Sequence, residues 1–403
     1  MNTTPVIDGE RLKQDILAMG GIGGSPAGVT RRAFTPEDAV ARAMTVDLMR
    51  EAGLDARVDA VGNVFGRRPG EDSSLPVLMV GSHIDSVPDG GMFDGCLGVL
   101  GGIAVVRALN EAGVSTRGPL EVVAFSNEEG AWGAGTFGSR AFVGLLTDEE
   151  LNAITPGGQT IAERMESVGL RPKAWRECVN PYPVKVYLEL HIEQGGVLEA
   201  EGLDIGVVTG IVGTSRWSVT VRGVANHAGT TPMRMRDDAL VKTARFILAV
   251  DEEARRADDM VATMGRVSVY PDAANVIPGL VRMTLGMRSM KQERVDLALA
   301  RLQEVARSLS AVDMETIISK LPVLMDESLV NEIEQACAGM GLRYKRMPSG
   351  AGHDAMCIAR VAPVGMIFVP SRDGKSHVRE EFTAWQYAVL GAQVLLNTIA
   401  SLA

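Results

Sequence analysis

The segment Val77–Gly95, VLMVGSHIDSVPDGGMFDG, is an apolar run that stops at a histidine and continues with closely spaced aspartates and glycines. Imidazole and carboxylate together are ligands that suit zinc, manganese or cobalt. Asp94, which lies among glycines, can approach two cations and bridge them. Asp85 follows His83 by two residues, on the same side of an extended chain, where it can orient the imidazole. The segment therefore predicts part of a metal site.

Further candidate ligands stand at the ends of other apolar runs that are typical of buried strands. They are Glu128 and Glu129 after the run 120–126, His191 after 184–190, and His377 in the loop after 364–370. A single histidine at a strand end is more often a hydrogen-bonded structural residue. Because ligands of open α/β sheets bind at the carboxyl ends of strands, four strand ends that agree favour a metal site. One of the two adjacent glutamates can then bind metal while the other handles the proton of a water.

These strand-like runs alternate with helical patterns, which predicts an α/β fold with a mostly parallel sheet covered by helices on both faces. Thr35-Pro36-Glu37-Asp38 has the composition of a helix start, and 97–112 and 382–402 predict two more helices. The middle of the chain has a different pattern, in which pairs of predicted strands alternate with helices. The first pair consists of residues 206–213 and 216–223. We expect a ββαββα-like α+β domain over residues 207–323, inserted into a larger domain made of residues 1–206 and 324–403.

Composition excludes several classes of function. The formal net charge of −10 argues against nucleic acid or an anionic membrane as a partner. The four cysteines are scattered, as in a cytoplasmic protein with reduced thiols. The N-terminal residues lack the apolar core of a signal peptide, and the longest apolar segment, Leu97–Leu109, is interrupted by Arg107. We therefore expect a cytoplasmic protein with no membrane segment.

Longer blocks of the sequence are recognisable. GSHIDSVPDGGMFDGCLGVLGG, FSNEEGAWGAGTFGSRAF, LELHIEQGGVLE, VANHAGTTPMRMRDDAL, NVIPG, SGAGHDAM and MIFVPSRDGKSH occur in this order. They resemble the amidase/hydantoinase/carbamoylase branch of the M20 metallopeptidase clan. That branch contains N-carbamoyl-L-amino-acid hydrolases, β-ureidopropionases, and allantoate and ureidoglycolate amidohydrolases. The resemblance covers essentially the whole chain.

The resemblance implies a zinc-peptidase-like catalytic domain, an inserted lid and dimerisation domain, and a homodimer. It also implies two divalent metal ions per subunit, with Zn²⁺ preferred and Mn²⁺, Co²⁺ or Ni²⁺ also suitable. By this resemblance, His83 and His191 bind one ion, Glu129 and His377 bind the other, and Asp94 bridges them. Glu128 is the general base, and we count Asp85 with the catalytic residues.

Other roles are also implied by the resemblance. His227 of the inserted domain reaches the partner subunit's active site and stabilises the oxyanion. Gln194 meets the ureido nitrogen, and Asn275 and Arg288 bind the substrate carboxylate, for which a bidentate guanidinium is well suited. Gly350 and Ala351 complete the substrate site. His353 is left as a residue that shapes the site without binding metal.

The expected reaction is hydrolysis of the ureido C–N bond of an N-carbamoyl amino acid to the amino acid, ammonia and carbon dioxide. Allantoate or ureidoglycolate hydrolysis is the alternative, and a dipeptidase or N-acyl amino-acid deacylase is a weaker one. A non-catalytic binding protein would be expected to lack Glu128 or a ligand, and none is missing. Two departures concern specificity: Gly286 replaces an aspartate that is common two residues before Arg288, and Val378-Arg379 replaces an Asn-Pro or Ser-Pro pair.

Overall fold

The structure, a computed structural model, describes residues 5–180 and 182–403. The chain divides into two compact units. The large unit comprises Met1–Thr209 and Met325–Ala403, and the inserted unit comprises Gly210–Leu324. The sequence places the corresponding domain boundaries after residues 206 and 323.

The large unit is built on a mixed sheet with parallel strands at its centre. In order across the sheet its strands are Ile205–Ile211, Val364–Val369, Val184–Ile192, Val77–His83, Leu120–Phe125, Val64–Arg68 and Asp55–Val58. The four strands from Val364–Val369 to Leu120–Phe125 run parallel, and their neighbours on both sides run antiparallel. Tyr344–Ser349 also pairs with Ile205–Ile211, and Val323–Leu324 pairs with Gly210 and Ile211. The α/β class is confirmed; at one edge of the sheet, Asp55–Val58 and Val64–Arg68 are antiparallel because a short connection joins them.

Both faces of the central strands are covered. Every residue of Val77–His83, Leu120–Phe125 and Val364–Val369 is buried. Because successive side chains of a strand point to opposite faces, this burial requires cover on both sides. The principal helices of this unit are Gly9–Gly21, Pro36–Glu51, Cys96–Glu111, Glu327–Gly339 and Trp385–Leu402.

The helix Pro36–Glu51 begins as the sequence predicts. The hydroxyl of Thr35 accepts the backbone N–H of Asp38, and Pro36 occupies the first turn, where no N–H is needed. The helix Cys96–Glu111, which starts directly after the Asp94 loop, packs against Val77–His83 and Val184–Ile192. Burial of this helix fixes the end of the loop that carries Asp94.

The inserted unit has the element order β-α-β-β-α-β. Its elements are Gly213–Arg222, Ala239–Arg255, Met260–Tyr270, Leu280–Ser289, Gln292–Leu309 and Val312–Lys320. The strands form one antiparallel sheet in the order Met260–Tyr270, Leu280–Ser289, Gly213–Arg222, Val312–Lys320. Phe246 and Leu302 of the two helices pack with Val219 and Leu285 of the sheet in one hydrophobic core.

The predicted ββαββα order is therefore wrong in two places. Residues 206–213 do not pair with 216–223, because the strand Ile205–Ile211 lies in the large sheet beside Val364–Val369. Its mostly apolar residues, of which all but Thr209 are buried, suit that interior position. The last strand, Val312–Lys320, is missing from the prediction because it is an edge strand that is largely exposed and shows only weak alternation.

Shorter elements complete the described part of the chain. They are the helical segments Phe137–Phe142, Asp148–Leu151, Ile161–Ser167, Pro172–Cys178, Val197–Glu201, Met233–Met235, Ala355–Ile358 and Arg372–Gly374, and the strands Gly24–Ser25, Gly28–Val29, Asn226–His227 and Val276–Ile277. Among the residues that the structure describes, no helix combines the length and the apolar character needed to span a membrane.

Candidate metal centre and active site

The parallel strands deliver the predicted ligands to one edge of the large sheet. His83 is the last residue of its strand and stands in register with Phe125 of the next strand. Glu128 and Glu129 follow Phe125 after a short turn. On the other side of the His83 strand, His191 lies near the end of Val184–Ile192. These side chains meet because the carboxyl ends of parallel strands lie at the same edge.

Asp94 stands between two groups of potential ligands. The structure brings together His83, Asp94 and His191 in one group, and Asp94, Glu129 and His377 in another. Oδ1 of Asp94 lies 3.1 Å from Nε2 of His191 and 3.6 Å from Nε2 of His83. Oδ2 of the same carboxylate lies 3.3 Å from Nε2 of His377. Each oxygen therefore faces a different group, as a carboxylate that bridges two cations requires.

Hydrogen bonds to the backbone fix which nitrogen of the buried histidines faces Asp94. Nδ1 of His83 donates to the carbonyl of Asp85 at 3.1 Å, and Nδ1 of His191 donates to the carbonyl of Ile192 at 2.9 Å. In the neutral form of each ring, which is the form that binds metal, Nε2 then carries no proton and is directed at Asp94. Nε2 of His191 is buried and has no hydrogen-bond partner among the described residues. Such a backbone partner for the second ring nitrogen is characteristic of metal-binding histidines.

The charges of this cluster also fit a cation. Burial raises the pKa of Glu128 well above its usual value, opposed by His83 and reinforced by Asp354 and Glu129. Burial and the neighbouring Asp94 raise the pKa of Glu129 to about 7. Burial alone would raise the pKa of Asp94, but its contacts with three histidines hold it well below its usual value. Crowded buried carboxylates repel one another, so divalent cations at this site would stabilise their charged forms.

His377 differs from the other histidines because half of its side chain is exposed. Nε2 of His377 lies 3.5 Å from Oε1 of Glu129. Its contact with Asp94 raises its pKa to about 9. His377 therefore occupies the solvent-facing side of the cluster, while His83 and His191 form its floor.

Asp85 acts through two different groups. Its backbone carbonyl, rather than its carboxylate, accepts the proton of Nδ1 of His83. Its carboxylate accepts the backbone N–H groups of Glu128 and Glu129 at 3.0 and 3.1 Å. Oδ1 also lies 3.7 Å from Nδ1 of His83. A single residue thus holds one histidine and both glutamates in place.

Glycine is required at position 95. Gly95 has a φ of 67°, and a Cβ there would lie 2.5 Å from the ring atoms of His83. Any side chain would strain the backbone and push the imidazole out of the cluster.

Three non-glycine residues at the site, Asn127, Gln194 and His377, also have positive φ. Strained backbone of this kind is concentrated at functional sites.

Gln194 lies at the cluster, and Ser376 and Glu381 join it there although the sequence did not single them out. Nε2 of Gln194 donates to Oδ2 of Asp94 at 2.8 Å, while its Oε1 has no hydrogen-bond partner among the described residues. The hydroxyl of Ser376 lies 3.1 Å from the same Asp94 oxygen and 2.8 Å from Oε2 of Glu381. Ser376 precedes His377 directly, which is the only sequence signal for it. Two consecutive glutamates at 380 and 381 give no indication of which one is buried.

The loop 349–354 borders the cluster. The ring of His353 packs edge-on against His191, with centroids 4.5 Å apart. His353 belongs to a third possible ligand group with Glu189 and His191. Both Glu189 oxygens already accept hydrogen bonds, from Ser82 and from the backbone of Ala355, and Nε2 of His353 is bonded to Ser349. This third group is therefore less available to a cation than the other two.

Gly350 and Ala351 lie in the same loop. The backbone N–H of Ala351 donates to the hydroxyl of Ser349 at 3.1 Å, which closes a tight turn beside His353. Asp354 is fully buried, and burial together with Glu189 raises its pKa to about 8.

His227, Asn275 and Arg288 belong to the inserted unit. Asn226–His227 pairs with Val276–Ile277, and the carbonyl of Asn275 accepts the N–H of Ala228, so His227 and Asn275 are neighbours. Nδ1 of His227 accepts the N–H groups of Gly229 and Thr230 at 3.0 and 3.2 Å. A neutral ring in this arrangement carries its proton on Nε2, which is a hydrogen-bond donor. Arg288 lies in Leu280–Ser289, on the face opposite the buried residues of that strand.

Comparison with known proteins agrees with these features. The family model for peptidase family M20/M25/M40 matches residues 79–401. An N-carbamoyl-L-amino acid amidohydrolase from Geobacillus stearothermophilus is 43% identical over 406 residues, with 99% of each chain covered. An allantoate amidohydrolase from Bacillus subtilis is 35% identical, with 93% of each chain covered. The crystal structure of an amidase of the hydantoinase/carbamoylase family from Burkholderia multivorans has a TM-score of 0.93 at 37% identity, covering 99% of this chain and 98% of the other.

The family predicted from the sequence motifs is confirmed by these matches. Enzymes of this family depend on metal ions, in agreement with the candidate ligand groups. The Geobacillus and Bacillus relatives are by name amidohydrolases of N-carbamoyl-L-amino acids and of allantoate, which are ureido compounds. The chain belongs to peptidase family M20/M25/M40, in its hydantoinase/carbamoylase branch.

Proposed function

We propose that this chain hydrolyses the ureido C–N bond of an N-carbamoyl amino acid, with two divalent metal ions bound at the strand-end cluster. The observation that carries the proposal is the position of Asp94, whose two oxygens face two different ligand groups. His83 and His191 would hold one ion, Glu129 and His377 the other, and Asp94 both. Zn²⁺ suits these nitrogen and oxygen donors best, and Mn²⁺, Co²⁺ or Ni²⁺ are also compatible.

Bound ions would supply Lewis acidity towards the ureido carbonyl and the attacking water. Glu128 is placed to serve as the base, since its Oε2 lies 3.8 Å from Nε2 of His83 at the floor of the cluster. Its raised pKa suits a group that first accepts the proton of the water and then delivers it to the leaving nitrogen. Asp85 keeps Glu128 in this position through its backbone N–H.

His227 is proposed to stabilise the oxyanion of the tetrahedral intermediate. The support is its tautomer, because two backbone N–H groups occupy Nδ1 and leave the proton on Nε2. Loss of one such donor typically costs about 2.7–4 kcal/mol of transition-state stabilisation. We propose further that the active form is a homodimer, with the inserted unit as lid and dimerisation domain, in which His227 of one subunit serves the other.

Substrate recognition is assigned to residues of both units. Oε1 of Gln194, which has no hydrogen-bond partner in the described part of the chain, is proposed to accept a ureido N–H, and Gly350 and Ala351 lie in the turn beside His353. Asn275 and Arg288 would bind the substrate carboxylate. We propose a cytoplasmic location, because the four cysteines are scattered along the chain and buried, as is typical of proteins of a reducing compartment.

Hydrolysis of allantoate or ureidoglycolate is the alternative, because relatives of both kinds match nearly the whole chain. A ureidoglycolate hydrolase from Arabidopsis thaliana is 34% identical over 98% of this chain. All of these substrates present a ureido group near a carboxylate, so the same residues would serve.

A substrate panel tests the proposal. The metal-free protein would be reconstituted with Zn²⁺, Mn²⁺ or Co²⁺ and assayed for ammonia release from N-carbamoyl α- and β-amino acids, allantoate and ureidoglycolate. The highest kcat/KM is expected with an N-carbamoyl α-amino acid. A higher value for allantoate or ureidoglycolate would select the alternative, and no ammonia release from any of them would contradict both.

A further inference from the structure

Glu381 is a buried carboxylate that the proposed reaction does not use. Only 3% of the residue is exposed. Its Oε1 accepts the backbone N–H of Phe93 at 3.2 Å and that of Asp94 at 3.1 Å. One oxygen of Glu381 therefore holds two consecutive backbone N–H groups. The second of them belongs to Asp94, which stands between the two groups of candidate ligands.

The loop before Asp94 is shaped to receive this carboxylate. A Cβ at Gly91 would lie 2.1 Å from Oε1 and 2.5 Å from Cβ of Glu381. Only glycine at position 91 lets the backbone approach so closely. Phe93, two residues later in the loop, packs its ring against Phe382, the residue after Glu381, with centroids 5.5 Å apart.

The second oxygen of Glu381 reaches the segment that carries His377. Oε2 accepts the hydroxyl of Ser376 at 2.8 Å, and Ser376 is the residue directly before His377. The same hydroxyl is 3.1 Å from Oδ2 of Asp94, so it can donate to either carboxylate but to only one at a time. Glu381 thus joins two separate chain segments that supply ligands of the same group.

Asp85 makes the same kind of contact as Glu381. Its carboxylate also accepts two consecutive backbone N–H groups, those of Glu128 and Glu129. Hydrogen bonds to a charged carboxylate are about twice as strong as neutral ones. Glu380, the neighbour of Glu381, provides a contrast, because it is exposed and pairs with Arg379.

We propose that Glu381 is a positioning residue of the metal centre: it fixes Asp94 between the two ligand groups and ties it to the segment that carries His377. The inference rests on the proposed two-ion site. It acts through the backbone of Asp94 and the hydroxyl of Ser376, and Glu381 itself binds no ion.

Metal binding, rather than activity, is the test. The full chain would be prepared metal-free as wild type, Glu381→Ala, Glu381→Gln and the control Glu380→Ala, with folding checked by circular dichroism. Zn²⁺ affinity would be measured by competition with a chromophoric chelator. The coordination of Co²⁺ in the loaded proteins would be compared by their visible absorption spectra. Loss of a residue that orients metal ligands typically lowers metal affinity by about 10–100-fold, and this is expected for Glu381→Ala.

Glu381→Gln should recover most of the affinity and the wild-type Co²⁺ spectrum, because its amide oxygen still accepts the two N–H groups. Glu380→Ala should match wild type. A folded Glu381→Ala protein with wild-type affinity and spectrum would overturn the inference, as would a Glu381→Gln protein as weak as Glu381→Ala. If Glu381→Ala does not fold, Gly91→Ala tests the same contact from the loop side. It should weaken Zn²⁺ binding, and unchanged binding would overturn the inference.

These results separate the inference from the proposed function. A wild-type chain that binds fewer than two ions contradicts the two-ion site and the inference together. A wild-type chain that binds two ions but releases no ammonia from ureido substrates contradicts only the proposed function.

Discussion

The carboxylate of Asp85 accepts the backbone N–H of Glu128 at 3.0 Å, so the proposed base is held by a residue two positions after His83, a proposed metal ligand. The backbone carbonyl of Asp85 meanwhile fixes the tautomer of His83. One residue therefore orients the proposed metal ligand through its main chain and the proposed base through its side chain. Substitution of its side chain should separate these two effects.

Asp85→Asn should lower activity while His83 keeps its tautomer. The amide oxygen of the new side chain can still accept one of the two backbone N–H groups, of Glu128 or Glu129. The amide NH₂ group would then face the other N–H, which would lose its acceptor. We expect a decrease of about 10–100-fold in kcat or metal affinity, typical of residues that orient a metal site. Steady-state kinetics and metal analysis would measure this. Asp89→Asn, in the same loop but exposed, is the control, and an equal loss in that variant would refute the explanation.

Glu128→Gln should keep the metal content of wild type and lose turnover. General acid–base catalysis typically contributes about 10²–10⁴-fold, so kcat should fall by that order. Glu129→Gln is the matched comparison, because the proposed ligand should lose metal as well as activity. A fully metallated Glu128→Gln protein with near-normal kcat would remove Glu128 from the mechanism.

His191→Ala should lower the number of bound ions, whereas His353→Ala should not. The two rings are in contact, but only Nε2 of His191 is directed at Asp94, while Nε2 of His353 is bonded to Ser349. Metal analysis of the purified variants, with His377→Ala in parallel, distinguishes ligand from neighbour. The assignment fails if His353→Ala loses an ion and His377→Ala retains both.

The sequence predicts which candidate ligands lie together because their positions depend on simple rules. His83, Glu129 and His191 lie at or just after the ends of strands, the parallel arrangement of these strands is predictable from alternating strand and helix patterns, and parallel strands end at one edge. The hydrogen bonds that hold these side chains are less predictable. Nothing in the sequence distinguishes the buried Glu381 from the exposed Glu380, because their burial depends on contacts with a loop almost 300 residues earlier.

The strand Ile205–Ile211 shows a different limit. Its apolar pattern correctly predicts a strand, but pattern alone does not identify the partner. Pairing with the following strand is the usual outcome for neighbours in sequence. Here the strand instead joins Val364–Val369, which is distant in sequence, because both bury all or nearly all of their residues in the large unit.

Gly286→Asp should stabilise the inserted unit. Gly286 lies opposite Arg216 in the adjacent antiparallel strand, and a Cβ at position 286 would meet only the carbonyl of Thr263, at 3.9 Å. An aspartate there fits and places a carboxylate across from the guanidinium. Opposite-charge pairs across strands contribute about 0.2–1 kcal/mol, which denaturant unfolding can detect. Arg288 lies two residues later on the same face of the strand. The new carboxylate would reduce the positive potential at Arg288, so KM for a substrate with a carboxylate should rise.

Gly286→Asn controls for the added volume and the loss of glycine flexibility. The stabilisation is electrostatic only if Asp exceeds Asn and if Arg216→Gln abolishes the difference. An Asn variant as stable as the Asp variant would refute the ion pair with Arg216.

Co-expression of two inactive variants tests whether His227 serves the partner subunit. His227 belongs to the inserted unit and Glu128 to the large unit. In a heterodimer of Glu128→Gln and His227→Ala chains, one site would have a normal base and a normal partner histidine, and the other site would carry both changes. With random mixing in a two-fold dimer, half of the dimers are mixed and half of their sites are intact, so activity should return to about a quarter of wild type. Differently tagged chains, purified in tandem, would establish that heterodimers form. If purified heterodimers remain inactive, His227 acts within its own subunit or takes no part in the reaction.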